Sequence, residues 1–183
     1  MKRKKPPQDH TSGAELPLQV TARVIGYVRS PYKERFGTPR QPTVTEQTLA
    51  DAAVDATIEL LPGHNFEQAL KDLAGFEYVW VIAWCHLNES WQPTVIPPRG
   101  PKVRRGLFAT RSPHRPNPIV ISALRLTKVD GRVLHVRGID LLDGTPVLDI
   151  KPYVPYADAF PDAREGWLEE IGQAPDAPDR WES

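Results

Sequence analysis

Two Asp-Gly pairs divide residues 119–150 into three strand-like runs. Asp130-Gly131 predicts a tight two-residue hairpin turn and Asp143-Gly144 a second turn, because such pairs tolerate the backbone angles that tight turns require. Further strand-like runs, frequent turns and few helical patterns occupy the rest of the chain. The sequence therefore predicts a mainly β fold, an antiparallel β-barrel with a few short helices.

Upstream of these turns, three runs predict strands and one predicts a helix. Residues 22–30 (ARVIGYVRS) and 55–61 (DATIELL) are strand-like, and residues 76–87 (FEYVWVIAWCHL) are continuously apolar, as is typical of a central strand buried on both faces. Asn65 is placed to cap a short helix that Gly75 ends. The apolar residues of this helix recur at i, i+3, i+4 and i+7 and predict core packing: Phe66, Ala69, Leu70 and Leu73.

Length and composition predict one domain with two tails. A chain of 183 residues with 40% hydrophobic content is long enough for one compact core. Residues 1–17 are charged and lack apolar periodicity, so we expect a disordered basic tail. Residues 18–160 hold the predicted barrel. Residues 161–183 are acidic and predict a short helix that begins at Asp162, with Glu165 as its capping-box partner.

The composition disfavours several kinds of site. No apolar run reaches the roughly 18 residues of a membrane span, and no signal peptide follows the basic N-terminus, so we expect a cytoplasmic protein. Cys85 is the only cysteine, and its apolar surroundings favour a buried thiol over a nucleophile. The histidines show no metal-ligand spacing, and we predict no metal. They are His10, His64, His86, His114 and His135. Walker, three-glycine dinucleotide and Gly-x-Ser-x-Gly motifs are also missing.

The net charge is zero, but the charges are unevenly distributed. From Arg99 to Arg115 there are six Lys or Arg and no acid, whereas from Asp158 onward there are eight acids and two bases. A neutral chain can therefore still present a cationic face to a polyanion. Charge alone leaves a solvated loop as the competing interpretation.

A proline-rich stretch, residues 111–118 (RSPHRPNP), lies at the end of this cationic region. Its prolines fix their own φ angles and push the preceding residues toward extended conformations, so the stretch is stiff before anything binds. Strand-like runs of one core flank it, which disfavours a linker between domains. Arg111 and Arg115 can thus present planar guanidinium groups to a carboxylate or a phosphate.

Two acidic residues occupy the turn segment DLLDGTP. Asp140 and Asp143 can each pair with an arginine, accept ribose hydroxyls or face a cationic ligand. Asp143 also suits a purely structural turn role because it precedes a glycine. The residues by themselves predict a β domain with a rigid cationic site for an anionic, nucleotide-like ligand.

Four long segments carry a family resemblance: residues 25–42 (IGYVRSPYKERFGTPRQP), 74–88 (AGFEYVWVIAWCHLN), 106–122 (GLFATRSPHRPNPIVIS) and 140–158 (DLLDGTPVLDIKPYVPYAD). In this order they resemble the TrmO family, also called TsaA-like or YaeB-like. The resemblance implies a β-barrel methyltransferase, neither Rossmann-like nor knotted, that works as a homodimer with S-adenosylmethionine bound near the subunit interface. The implied reaction is methylation of the exocyclic amine of threonylcarbamoyladenosine beside the tRNA anticodon.

Residue roles follow from the resemblance and from the charge map. The implied cofactor contacts are Pro39, Arg40, Gln41, His86, Leu87, Arg111, Ile121, Asp140, Leu141, Leu142 and Asp143. The expected contacts with tRNA phosphates are Arg99, Lys102, Arg104, Arg105 and Arg115. Val120 departs from the family, which commonly has glycine there, and a larger side chain can narrow the pocket or shift the backbone.

In methyl transfer the protein chiefly aligns the reactants and excludes water, and the amine must lose a proton. Asp140, Asp143 and His86 are unranked candidates for the proton acceptor, with water as an alternative. Two other functions stay open: a non-catalytic barrel that binds S-adenosylmethionine or RNA and regulates a partner, and a small-molecule methyltransferase on the same scaffold.

Overall fold

The computed structural model describes residues 16–34, 38–39, 54–98 and 100–170. In chain order the strands are β1 (Gly26–Arg29), β2 (Asp55–Leu60), β3 (Tyr78–Trp84), β4 (Thr94–Val95), β5 (Arg105–Gly106), β6 (Ile119–Asp130), β7 (Val133–Arg137) and β8 (Pro146–Pro152). The short helices are α1 (Phe66–Ala69) and α2 (Pro155–Asp158), with 3-10 turns at Leu73–Gly75, Leu107–Ala109 and Gly166–Glu170.

Six of the strands close into an antiparallel barrel. Their order is β1-β2-β7-β6-β3-β8, and β8 closes the barrel by pairing with β1, where Gly26 lies opposite Val147. β4 and β5 form a separate two-stranded sheet. The prediction of a mainly β fold, built as an antiparallel barrel with few short helices, is confirmed.

Glycines make both predicted turns and one close strand contact possible. Asp130 and Val133 pair across the β6–β7 hairpin, and Gly131 has a φ of 56°. Gly144 has a φ of 75°, and its N–H donates to the carbonyl of Val28 over 2.8 Å. At Gly26 a Cβ would lie 2.5 Å from the carbonyl oxygen of Glu59, so any larger residue would push β1 away from β2.

The core lies inside the barrel and follows the two-residue period of the strands. On β3 the inward residues Val79, Val81 and Ala83 have no exposed surface, whereas the alternate residues, such as Trp80 and Trp84, are only partly buried. The prediction that this strand is buried on both faces is wrong. A closed barrel has one interior, so its other face is an outer wall, where Trp80 and Trp84 supply apolar surface.

The predicted helix after Asn65 is shorter than its apolar pattern indicates. Asn65 occupies the N-cap position with a φ of 56° and makes no side-chain cap, because its amide binds the side chain of Gln68 instead. The helix ends at Ala69, and the 3-10 turn that follows ends at Gly75. Leu70 is nevertheless buried, so the predicted stripe does contribute to the core.

The C-terminal helix begins later than predicted. The 3-10 turn starts at Gly166, and the N–H of Glu165 donates to Oε1 of Glu169 over 2.8 Å, so Glu165 receives the cap rather than supplying it. Residues 1–15 and 171–183 lie outside the described residues, and the predicted domain bounds stay predictions. No helix in the described part of the chain is long and apolar enough to cross a membrane.

Candidate cofactor and active site

Four loops meet at one end of the barrel. They follow β1 and β3, precede β6, and connect β7 to β8. The register places them together, because Trp84 at the end of β3 pairs with Ile119 at the start of β6, and Arg137 at the end of β7 pairs with Asp55 at the start of β2. Both predicted acidic residues and the proline-rich stretch lie in these loops.

Asp140 is a half-buried carboxylate at this end. The hydroxyl of Ser122 donates to its Oδ1 over 2.7 Å, and Ser122 itself is 1% exposed on the inward face of β6. Burial raises the pKa of Asp140 to about 6, while the hydrogen bond from Ser122 and the charge of Arg111 act in the opposite direction. Asp140 is therefore mostly ionised at neutral pH but takes up a proton easily.

Tyr32 and Cys85 are electrostatic neighbours of Asp140. Burial, and secondarily the charge of Asp140, raises the pKa of the Tyr32 phenol and raises the pKa of the Cys85 thiol to about 11. Cys85 is half-buried rather than buried as expected, and it is a neutral thiol at pH 7, which disfavours a nucleophile.

Asp143 holds two of the loops together. Its Oδ1 accepts the N–H of Ser30 over 3.2 Å, and its own N–H donates to the carbonyl of Tyr32 over 2.8 Å. The hydroxyl of Ser30 adds a bond of 2.8 Å to the carbonyl of Leu141. Asp143 therefore has a structural role in joining the loop after β1 to the loop between β7 and β8.

The two arginines of the proline-rich stretch differ in their surroundings. Nη1 of Arg115 donates to the carbonyl of Thr110 over 2.9 Å and lies 3.4 Å from the carbonyls of Leu107 and Ser112. Its guanidinium also lies 5.4 Å from the ring centre of Phe108. Arg111 is exposed, donates to no described acceptor and acts on Asp140 through its charge. Arg115 thus stiffens the loop, and Arg111 is available to a ligand.

The remaining predicted cofactor residues differ in how deeply they are buried. Pro39 and Leu142 are half-buried, Leu141 is buried, and His86 and Leu87 are exposed. Arg40 and Gln41 lie outside the described residues.

Positions 120 and 121 face opposite sides of β6. Ile121 is 51% exposed on the outer wall, whereas Val120 shares the inward face of Ser122 and packs against the core. The side chain that departs from the family pattern is thus the one on the Asp140 side of the strand.

The residues predicted to contact tRNA also differ in their exposure and pairing. Lys102 and Arg104 are exposed, and Nη1 of Arg104 lies 3.4 Å from Oγ1 of Thr94. Arg105 instead forms an ion pair with Glu170. Arg99 lies outside the described residues. None of these placements tests tRNA binding, and the roles stay predictions.

Sequence reasoning missed three residues of this end of the barrel: Tyr32 and Ser122, which neighbour Asp140, and Ser30, which donates to Asp143. A signal existed for Ser122, because the inward positions of β6 alternate and a serine between Val120 and Leu124 is an unexpected polar group. Among the described residues no group of three His, Cys, Asp or Glu is placed to hold a metal ion, and the predicted absence of a metal stays a prediction.

The fold is that of a closed antiparallel β-barrel protein, and a half-buried carboxylate and a stiff cationic loop lie together at one end of the barrel. Residues 27–159 match the family model described as the tRNA-methyltransferase O N-terminal domain. The chain belongs to the tRNA-methyltransferase O family.

Named relatives agree with this assignment. The chain is 41% identical over 157 residues to the tRNA (adenine(37)-N6)-methyltransferase of Escherichia coli strain K12, covering 82% of this chain and 64% of that protein. It is 39% identical to a probable S-adenosyl-L-methionine-binding protein of Pyrococcus abyssi, covering 85% of this chain and 79% of the other. A crystal structure of TrmO from Pseudomonas aeruginosa superimposes with a TM-score of 0.67 at 41% identity, covering 87% of this chain and 66% of that one. The chain thus spans less than two thirds of the E. coli relative.

Proposed function

We propose that this chain is an S-adenosylmethionine-dependent methyltransferase that modifies N6 of adenine 37 in tRNA, beside the anticodon, and that its preferred substrate base is threonylcarbamoyladenosine. Family membership and the names of the relatives support the reaction class. The observation that carries the proposal is the Asp140 carboxylate, which is half-buried, accepts a hydrogen bond from Ser122 and is acted on by the charge of Arg111. This site offers a proton acceptor next to a cationic group.

The residues of the four loops suit S-adenosylmethionine. When bound, this cofactor supplies an electrophilic methyl group on a positively charged sulfur. Arg111 offers an exposed guanidinium for a carboxylate, and the half-buried Pro39 and Leu142 offer apolar surface for an adenosine. Asp140 contributes a negative charge that favours a cationic ligand. We propose these residues, with His86, Leu87, Leu141 and Asp143, as the cofactor site.

Asp140 is the proton acceptor that the geometry favours. The exocyclic nitrogen loses a proton as it takes the methyl group, and a carboxylate with a pKa of about 6 is ionised and ready to receive it at neutral pH. Oδ1 of Asp143 already accepts a hydrogen bond from the N–H of Ser30, and His86 is exposed just after β3. Asp140→Asn should therefore lower the methyl-transfer rate by roughly 100-fold or more, with tRNA binding retained.

A homodimer is part of the proposal. On the outer wall, Ile119 and Ile121 are 44% and 51% exposed and pair across strands with Trp84 and Ile82. This apolar strip begins at the site end of the barrel, so a second subunit on it would place Ile121 beside the cofactor. Ile121→Glu should produce monomers in analytical ultracentrifugation, and a dimer that survives this change would place the interface elsewhere.

One labelling experiment tests the function. The protein is incubated with methyl-labelled cofactor and three tRNAs: one carrying threonylcarbamoyladenosine at position 37, the same tRNA without the modification, and one with guanine at that position. We expect label only in the first. Label in the first two would support adenine methylation without the modified substrate. Cofactor binding without transfer to any of them would support a regulatory module instead.

A further inference from the structure

The C-terminal turn, Gly166–Glu170, is attached to the cationic region through one arginine. Nη2 of Arg105 lies 2.5 Å from Oε2 of Glu170, and Nη1 lies 3.5 Å from Oε1, so both carboxylate oxygens face the guanidinium. The same guanidinium lies 5.1 Å from the ring centre of Trp167. Arg105 therefore binds an anion and a flat aromatic ring at once.

A hydrogen bond from Trp167 also fixes the position of the C-terminal turn. Nε1 of Trp167 donates to the carbonyl of Ala109 over 2.7 Å. Ala109 ends the 3-10 turn Leu107–Ala109, two residues before Arg111. The C-terminal turn thus contacts the segment that leads into the proline-rich stretch, residues 111–118.

The two groups that Arg105 holds have the chemistry of a nucleotide. A guanidinium pairs with a phosphate in the same forked geometry as with a carboxylate, and it stacks on a nucleobase as it does on an indole. Lys102 and Arg104 are exposed in the same segment and extend the positive charge. An RNA strand that approaches Arg111 along this segment would find Arg105 already paired with Glu170 and stacked against Trp167.

We propose that Arg105, with Lys102 and Arg104, forms an RNA-binding surface and that the C-terminal turn occupies it in competition with RNA. The proposal rests on the proposed function, because it takes tRNA as the substrate. The side chain of Glu170 is 58% exposed, whereas that of Arg105 is 19% exposed, so Glu170 is free to leave and its departure would open Arg105 to a competing phosphate. Exposed ion pairs and cation–π contacts are individually weak, so the competition should cost roughly three- to tenfold in RNA affinity.

The test compares two variants of equal charge. Glu170→Gln removes the carboxylate that faces Arg105, and Glu165→Gln removes one negative charge from the same segment without removing that partner. The probe is unmodified full-length tRNA, and its dissociation constant is measured by fluorescence anisotropy with the full chain. Glu170→Gln should tighten tRNA binding by roughly three- to tenfold, and Glu165→Gln should change it by less than about twofold.

A second pair of variants separates competition from structural support. Arg105→Ala should weaken tRNA binding, and in an Arg105→Ala background Glu170→Gln should no longer tighten it. S-adenosylmethionine affinity, measured by calorimetry, should be the same in every variant. The proposal is overturned if Glu170→Gln binds tRNA no better than Glu165→Gln, if it binds more weakly, or if its effect persists without Arg105.

The outcome also separates this inference from the proposed function. A wild-type protein that methylates tRNA while the two Gln variants bind alike would overturn only the competition. A wild-type protein with no measurable tRNA affinity would overturn both.

Discussion

The hydroxyl of Ser122 donates a 2.7 Å hydrogen bond to Oδ1 of Asp140, and this bond joins the inward face of β6 to the loop between β7 and β8. The bond stabilises the ionised form of Asp140, whereas burial disfavours it. Burial is the largest effect and raises the pKa of Asp140 to about 6, while the bond from Ser122, a backbone hydrogen bond and the charge of Arg111 lower it. The proposed proton acceptor is therefore tuned by a residue that does not need to touch the substrate.

Ser122→Ala should shift the pH dependence of methyl transfer. Without the hydroxyl the pKa of Asp140 rises further, so the acidic limb of the rate profile should move to higher pH by about one unit. The measurement is the single-turnover rate between pH 5 and pH 8, with cofactor and tRNA saturating. Thr127→Val, on the same strand but with its hydroxyl bonded to the carbonyl of His135, is the control and should leave the limb in place. An unchanged limb in Ser122→Ala would remove Ser122 from this role.

Asp140 should also make stability depend on pH. Because its folded pKa of about 6 is above the unfolded value of 3.8, its contribution to stability is full below about pH 4 and is lost as the pH rises through 6. This group alone should lower the free energy of unfolding by roughly 3 kcal/mol from well below pH 4 to well above pH 6, of which roughly 2 kcal/mol falls between pH 4.5 and pH 7.5. Asp140→Asn should remove that component, so the variant should gain stability relative to wild type as pH rises. Urea unfolding at pH 4.5 and pH 7.5 measures it, with Asp149→Asn on β8 as a surface control.

Two substitutions at Asp143 distinguish a structural role from a catalytic one. Asp143→Asn keeps an oxygen that can accept the N–H of Ser30, whereas Asp143→Ala removes the acceptor. We expect Asp143→Ala to lose about 1 kcal/mol of stability and to weaken cofactor binding, with Asp143→Asn much closer to wild type. Calorimetry and thermal unfolding measure both. Equal loss of methyl-transfer rate in the two variants, without loss of stability, would make Asp143 a proton acceptor.

Arg111 and Arg115 should respond differently to truncation. Arg115→Ala removes the bonds to the loop carbonyls and should lower stability by about 1–2 kcal/mol. Arg111→Ala removes an exposed guanidinium and should weaken cofactor binding by roughly tenfold with little change in stability. Each variant is assayed by both thermal unfolding and cofactor titration. A large loss of stability in Arg111→Ala would make that residue structural.

Much of the fold was predictable because its signals are local. The Asp130-Gly131 hairpin and strands β1 and β2 follow from turn chemistry and from short apolar runs, and the structure contains all three. The acidic and cationic loops were also recognisable, since their residue types are visible without a fold. Four segments in order identified the family, and residues 27–159 match its model.

The role of each loop residue depended on contacts between distant segments. Sequence left Asp140, Asp143 and His86 unranked, because burial and hydrogen-bond partners separate them and neither is local. Asp140 obtains its partner from β6, and Asp143 obtains its partner from the loop after β1.

Closure of the barrel decided what is inside and what is outside. The apolar run of β3 predicted burial on both faces, but a closed sheet has one interior and leaves Trp80 and Trp84 on an outer wall. In the same way, Arg105 looked like a free cation until the fold brought Glu170 to it across 65 positions of sequence. Residue type and local pattern determined the elements and the chemistry available, and long-range packing decided which groups are buried, paired or left for a ligand.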